Sequence, residues 1–261
     1  MYLIETEENI GFLAASYIKN RIEAFTTTSE KPYFVIALPT GGTSLDLYSH
    51  LVKFYKEGLL KFDNVVTFNL DEYIGLPEKH PESYHSFMAR NFFDHIKIPQ
   101  EQINILDGNA SDLEKECRLY EEKIKHYGGI DLFLGGVGQN GHIAFNEPGS
   151  SFSSRTRIVN LSEDTIKANS RFFNGDISLV PNRALSVGLV TIMESKEVII
   201  MATGIKKAQA LYHAFEDKTN TAWPITILQK HPRVFVLADK PAVSEISKTI
   251  KQNYGLCSFI N

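Results

Sequence analysis

Short, wholly apolar runs alternate along this chain with longer stretches whose apolar residues recur every three or four positions. Buried strands separated by amphipathic helices produce that pattern. Residues 33–38, 65–69, 130–134, 198–201 and 233–237 are the strand-like runs. Ile10, Leu13, Ala14, Tyr17, Ile18 and Ile22 form a helical stripe, for which Thr6, Glu7 and Glu8 predict a cap and an acidic first turn. Leu45, Leu47, Tyr48, Leu51 and Phe54 form a second stripe, and Phe87, Met88, Phe92 and Phe93 an aromatic, core-facing third. Ser111-Asp112-Leu113-Glu114 reads as a capping box opening a charged helix that runs to about His126 and stops at Gly128-Gly129. Further helices are expected around Lys167 and Arg171, after Gly204, and from about Val243.

Strands that alternate with helices imply an α/β fold: a mainly parallel, doubly wound, Rossmann-like sheet with helices on both faces. No repeat, low-complexity tract or linker interrupts the alternation, so residues 1–261 read as a single domain. Serines and arginines crowd the chain after Pro148, and the stretch within 150–180 is a candidate lid.

A net charge of -4 argues against a nucleic-acid or anionic-membrane surface, so an anionic ligand would require local positive charge. Cys117 and Cys257 have no paired spacing, which points to free thiols in a reducing compartment and away from a disulfide framework or a Cys-based zinc site. No apolar run approaches the roughly 18 residues of a membrane span, and no basic region followed by an apolar block opens the chain. A cytoplasmic location is expected.

The chemistry-bearing residues gather at predicted strand ends, where ligands bind in open α/β sheets. After the run 130–134, Gly135, Gly136, Gly138 and Gly141 open a loop that carries His142, with Glu147 five residues on. A neutral imidazole whose tautomer is fixed by a carboxylate can take a proton from one oxygen and return it to another. Alternatively, His142 satisfies loop carbonyls and Glu147 caps a turn. Pro39-Thr40-Gly41-Gly42-Thr43-Ser44 joins strand to helix in the manner of a phosphate cradle, without a Walker lysine or a dinucleotide fingerprint. Asp71-Glu72 leaves the strand 65–69 as a carboxylate pair, suited to acid–base work or to an ordinary solvated loop. Lys207, behind Gly204, can reach a phosphate as a point charge. His80 and His85, five apart, do not share a helical face, so no metal pair is expected.

Taken in order over nearly the whole chain, these segments resemble the glucosamine-6-phosphate deaminase (glucosamine/galactosamine-6-phosphate isomerase) family. The resemblance rests on residues 38–43, 65–73, 80–87, 138–148, 154–157 and 168–173. It implies a hydrolase that isomerises glucosamine 6-phosphate while releasing ammonia, giving fructose 6-phosphate in amino-sugar catabolism, reversibly and with no organic cofactor or metal. By the same resemblance His142 opens the pyranose ring, Glu147 orients it, and Asp71 moves the C2 proton to C1. Gly41, Gly42, Thr43, Ser44, Arg171 and Lys207 would hold the phosphate. Many members carry Asp where this chain has Asn140, which can orient His142 but brings no charge. One anion fewer beside an imidazolium places the acid limb of activity at lower pH.

In hexameric members, N-acetylglucosamine 6-phosphate is an activator bound between subunits, at positions that fall on Ser150, Arg157, Val159, Asn160 and Gln252 here. Val159 replaces a lysine and Gln252 a tyrosine, so the resemblance implies a weakened activator site. It also implies a homo-oligomer, hexameric or smaller. Rival readings are a galactosamine-preferring deaminase, a sugar-phosphate isomerase or lactonase on the same fold, and a catalytically silent sugar-phosphate sensor. The joint presence of Asp71, His142 and Glu147 favours turnover.

Overall fold

The computed structural model describes residues 1–253, the last three by backbone alone. In chain order its elements are strand β1 (Tyr2–Glu5), helix α1 (Ile10–Glu23), β2 (Phe34–Leu38), α2 (Ser44–Lys56), β3 (Val65–Asn69), β4 (Asp71–Tyr73), α3 (Tyr84–Asn91), β5 (Ile103–Asn104) and α4 (Leu113–His126). Then come β6 (Leu132–Gly136), β7 (Arg157–Asn160), α5 (Glu163–Asn169), β8 (Arg183–Ser186), α6 (Leu189–Met193), β9 (Glu197–Ala202), α7 (Ala208–Glu216), β10 (Val234–Ala238) and α8 (Lys248–Asn253).

Seven strands form one parallel sheet in the order β1-β10-β9-β6-β2-β3-β5. Successive residues of a strand point to opposite faces, and here both faces are buried. Val35, Ala37, Val66, Phe68, Ile200 and Val236 pack with α4, α6 and α7 on one side. Phe34, Ile36, Leu38, Val65, Ile199 and Leu237 pack with α1, α2 and α3 on the other. Double coverage is why the five central strands appear in the sequence as unbroken apolar runs.

A second sheet, β4-β8-β7, is antiparallel and stands at the carboxyl edge of the first. Leu70 is the break between them: the chain leaves β3 at Asn69 and enters β4 at Asp71. The small sheet packs Tyr73, Val159 and Ala184 with Phe145 and Phe173. Its strand β7 falls inside the stretch expected to be a lid. Residues 157–160 are held by antiparallel pairing with β8.

Several expectations are corrected. The first residues form β1, paired with β10, and Glu7 and Glu8 precede α1, whose cap is Asn9, accepting from Phe12 N at 2.7 Å. The first turn of α1 therefore holds no acid. Helix α4 is capped by Asp112, which accepts from Lys115 N at 2.9 Å, so the cap sits one residue later than the serine suggested and, with Lys115 at N3, no capping box forms. No helix among the described residues is long and apolar enough to cross a membrane. Cys117 is buried, and Cys257 lies outside the described residues.

Candidate active site

A cleft of about 740 Å³ opens at the carboxyl ends of β2, β3, β6 and β9, lined there by Pro39, Leu70, Gly136 and Met201. The crevice rule for open parallel sheets puts a ligand at this edge. Asp71, Asn140, His142, the 41–44 turn, Arg171 and Lys207 all line the cleft, and Glu147 touches His142 and Asn140 from behind.

Asp71 opens β4 opposite Ser186 and is buried. Burial first, and then the neighbouring Glu72 charge, push its carboxyl up to about 8. Glu147 is held in the opposite direction. Burial alone would raise it, but the His142 imidazole, aided by the Thr165 hydroxyl and the Asn140 amide, outweighs burial and holds it at about 2. The cleft is thus lined by a carboxyl that keeps its proton near neutrality, and its histidine is backed by a carboxylate that does not.

His142 rides on a tight loop in which Gly138 N donates to His142 O at 2.9 Å. Its Nδ1 approaches Glu147 Oε2 at 3.5 Å, an ion-pair approach without an aligned hydrogen bond. The same oxygen accepts from Asn140 Nδ2 at 2.8 Å. Asn140 was expected to orient the imidazole directly; it instead holds the carboxylate, while its Oδ1 accepts from the His142 backbone N at 3.3 Å. Thr165, on α5, donates its hydroxyl to the other oxygen of Glu147.

At the opposite end the turn 41–44 leads into α2, whose N-cap Thr43 makes no side-chain cap; the Ser44 and Leu45 amides bond back to Gly41 O at 3.1 Å and Gly42 O at 3.4 Å. Lys207 Nζ donates to Val137 O at 2.6 Å. Burial, then Arg171 and Lys206, bring this amine down to about 8, a crowding of cations that a bound anion would relieve. Lys206 and Lys167 also line the cleft, as do Tyr84 and Thr165. These four lay outside the sequence-derived site set. The Lys206-Lys207 pair was a visible signal for one of them; nothing in the sequence marks Thr165 or Tyr84.

The expected activator positions lie apart. Arg157 donates to Asn146 Oδ1 at 2.8 Å and to Ser150 Oγ at 3.2 Å, Val159 is buried in the small sheet, and Asn160 is exposed. Gln252 falls beyond the described side chains. None of the four described ones lines the cleft, and among the described residues no group of acids, histidines and cysteines could hold a metal ion.

Residues 5–236 match the family described as glucosamine-6-phosphate isomerases/6-phosphogluconolactonase. A glucosamine-6-phosphate deaminase of Yersinia enterocolitica is 55% identical over 249 residues, 95% of this chain and 93% of that protein. Among solved structures, a monomeric glucosamine-6-phosphate deaminase superposes with a TM-score of 0.88 at 40% identity, covering 94% of this chain and all of the other. The 6-phosphogluconolactonase of Trypanosoma brucei superposes with a TM-score of 0.73 at 19% identity over 94% of this chain and 98% of its own, which is a likeness of fold alone. With the strand order, the cleft and these identities in agreement, the chain belongs to the glucosamine-6-phosphate isomerase and 6-phosphogluconolactonase family.

Proposed function

We infer that this chain is a glucosamine-6-phosphate deaminase, converting glucosamine 6-phosphate and water to fructose 6-phosphate and ammonia. The observation that carries the reading is one cleft lined by Asp71, held up at about 8, and by His142, which is backed by Glu147, held at about 2, with a cationic end formed by Arg171 and Lys207. The phosphate sits at the 41–44 turn, in the cleft that those cations also line. His142 carries the O1 proton to the ring oxygen and the pyranose opens, its imidazolium stabilised by ionised Glu147. Asp71, ionised in the reacting complex, removes the C2 proton and returns it to C1. Water adds to the resulting C2 imine, and ammonia leaves from the carbinolamine. The monomeric state of the 40% identical relative favours an assembly smaller than a hexamer. The reading includes no activator, because Val159 offers no cation and Arg157 is engaged by Asn146 and Ser150.

Ammonia measured after mixing the purified protein with glucosamine 6-phosphate tests the reading. Faster release from galactosamine 6-phosphate would reassign the substrate. Hydrolysis of 6-phosphogluconolactone without ammonia release would make the chain a lactonase, and binding of the amino sugar without turnover a sensor.

Asn140→Asp replaces a donor 2.8 Å from Glu147 by a second carboxylate. The added anion stabilises the protonated imidazole, so the part of the acid limb that reports His142, as distinct from the part that reports Asp71, is expected at higher pH. A rate–pH profile checks it; an unmoved limb means that charge at residue 140 does not reach the reacting groups.

A further inference from the structure

The carboxylate next to Asp71 is used by no step above, yet it is buried more deeply. Strand alternation turns Asp71 toward the cleft and Glu72 away from it, where Glu72 is 2% exposed. A carboxylate in such a place is costly unless its oxygens are fully engaged, and these are. Oε1 accepts from Tyr73 N at 2.8 Å and Tyr84 N at 3.0 Å; Oε2 accepts from His85 N at 3.0 Å and meets His85 Nδ1 at 2.8 Å. The amides of Tyr84 and His85 are the first two of α3, which an intrahelical bond cannot satisfy. Ser83 caps the amide of Ser86, the next available. An anion at this helix start is favoured by the helix dipole. His85 is partly exposed, so it connects the buried carboxylate to solvent.

Helix α3 carries Phe87 and Tyr84 into the cleft, and the Tyr84 ring lies against Tyr73 at 4.8 Å between centroids and beside Phe145. Among the described residues, four phenols share the environment of Asp71: Tyr48 from α2, Tyr73 from β4, Tyr84 from α3 and Tyr120 from α4. Burial, the largest cause in each, keeps all four above their ordinary range, so they are uncharged near neutral pH. Glu72 is the charged neighbour that acts on Asp71.

We propose that Glu72 and His85 form a positioning pair for the base: they fasten the start of α3, and the Tyr84 ring with it, to the strand that presents Asp71, and they set the charge beside that base. The proposal rests on the deaminase reading with Asp71 as the C2 base. Its logic gives the two partners opposite signs. Glu72 opposes ionisation of Asp71 by like charge, whereas the His85 ring, with its Nδ1 2.8 Å from Oε2, draws on that charge and eases it.

The test is the pH dependence of kcat/KM for ammonia release from glucosamine 6-phosphate by the full chain, unaltered and as Glu72→Gln and His85→Gln, with thermal midpoints alongside. Glu72→Gln is expected to move the acid limb down by ~0.5 pH units or more. It should also lower kcat roughly 10-fold or more while KM stays within about 3-fold, because Tyr84 and Asp71 lose their shared anchor. His85→Gln is expected to move the limb up. Limbs that stay in place in both variants, or move the same way, overturn the proposal and leave the deaminase reading intact. Absence of ammonia release by the unaltered protein overturns that reading instead. If Glu72→Gln does not fold, His85→Gln decides alone: an upward limb supports the pair and a fixed one refutes it.

Discussion

Asp71→Asn is expected to lower kcat for ammonia release by roughly 10²–10⁴-fold, the usual contribution of a positioned base, while making the protein more stable above neutral pH. Both effects have one origin. The carboxyl is buried beside Glu72 and keeps its proton up to about 8, whereas in the unfolded chain it ionises near its ordinary value of 3.8. Between those two values the folded state binds the extra proton, so this group's contribution to stability is fully present below about 4 and is lost as pH rises toward about 8. Asparagine has no charge to bury and escapes the loss. The gap in unfolding free energy between variant and unaltered protein should therefore widen from pH 5 to pH 8 and level off beyond, reaching on the order of a few kcal/mol, and the thermal midpoints should separate in step. A gap independent of pH would mean that Asp71 is ionised in the folded protein throughout, and the tuned-carboxyl argument would fail. The stability cost of the native residue is what a base held in a dry cleft entails.

How much of this was legible beforehand depended on how many faces an element buries. Strands β2, β3, β6, β9 and β10 are covered on both sides, and their apolar runs announced them. Strand β1 has four residues of which only Leu3 and Ile4 are buried, a pattern too short to distinguish from an unstructured start. The small antiparallel sheet was hidden for a related reason. Its strands are three or four residues long, and β7 begins with an arginine at the end of a serine-rich stretch that reads as a loop. Asp71, His142 and Glu147 were each singled out beside a strand end, where backbone geometry makes polar residues conspicuous. Their convergence could not be read from spacing, because it depends on the parallel pairing of β2 with both β3 and β6. Thr165 is further from legibility still: a threonine on a short helix becomes a partner of Glu147 only because the small sheet carries α5 back over the cleft. Asn140 shows the converse, a residue whose importance the resemblance flagged and whose partner only the fold identifies.

Gly138→Ala is expected to remove most of the turnover, on the order of 10²-fold or more, with little change in thermal midpoint. A Cβ at residue 138 would lie 2.3 Å from His142 Cε1 and Nδ1 and 2.5 Å from Nε2, and no backbone atom is among its three nearest neighbours. The obstruction is therefore the imidazole itself. Gly138 is absent from the positive-φ positions, so alanine meets no backbone strain there, and its N–H can still donate to His142 O. The ring can yield without unfolding anything, because it faces the open cleft and has no aligned side-chain hydrogen bond to lose. Swinging outward, it leaves Glu147, and a base displaced by an ångström or more is no longer in line with the ring oxygen of the sugar. Gly141 supplies the contrast within the same loop: it has φ +79 and its Cβ would meet Trp223 at 2.7 Å, so Gly141→Ala should lower the midpoint as well as the rate. The two variants separate a misplaced base from a damaged fold. Full activity in Gly138→Ala at an unchanged midpoint would show that turnover does not need the imidazole, and the ring-opening role assigned to His142 would have to be withdrawn.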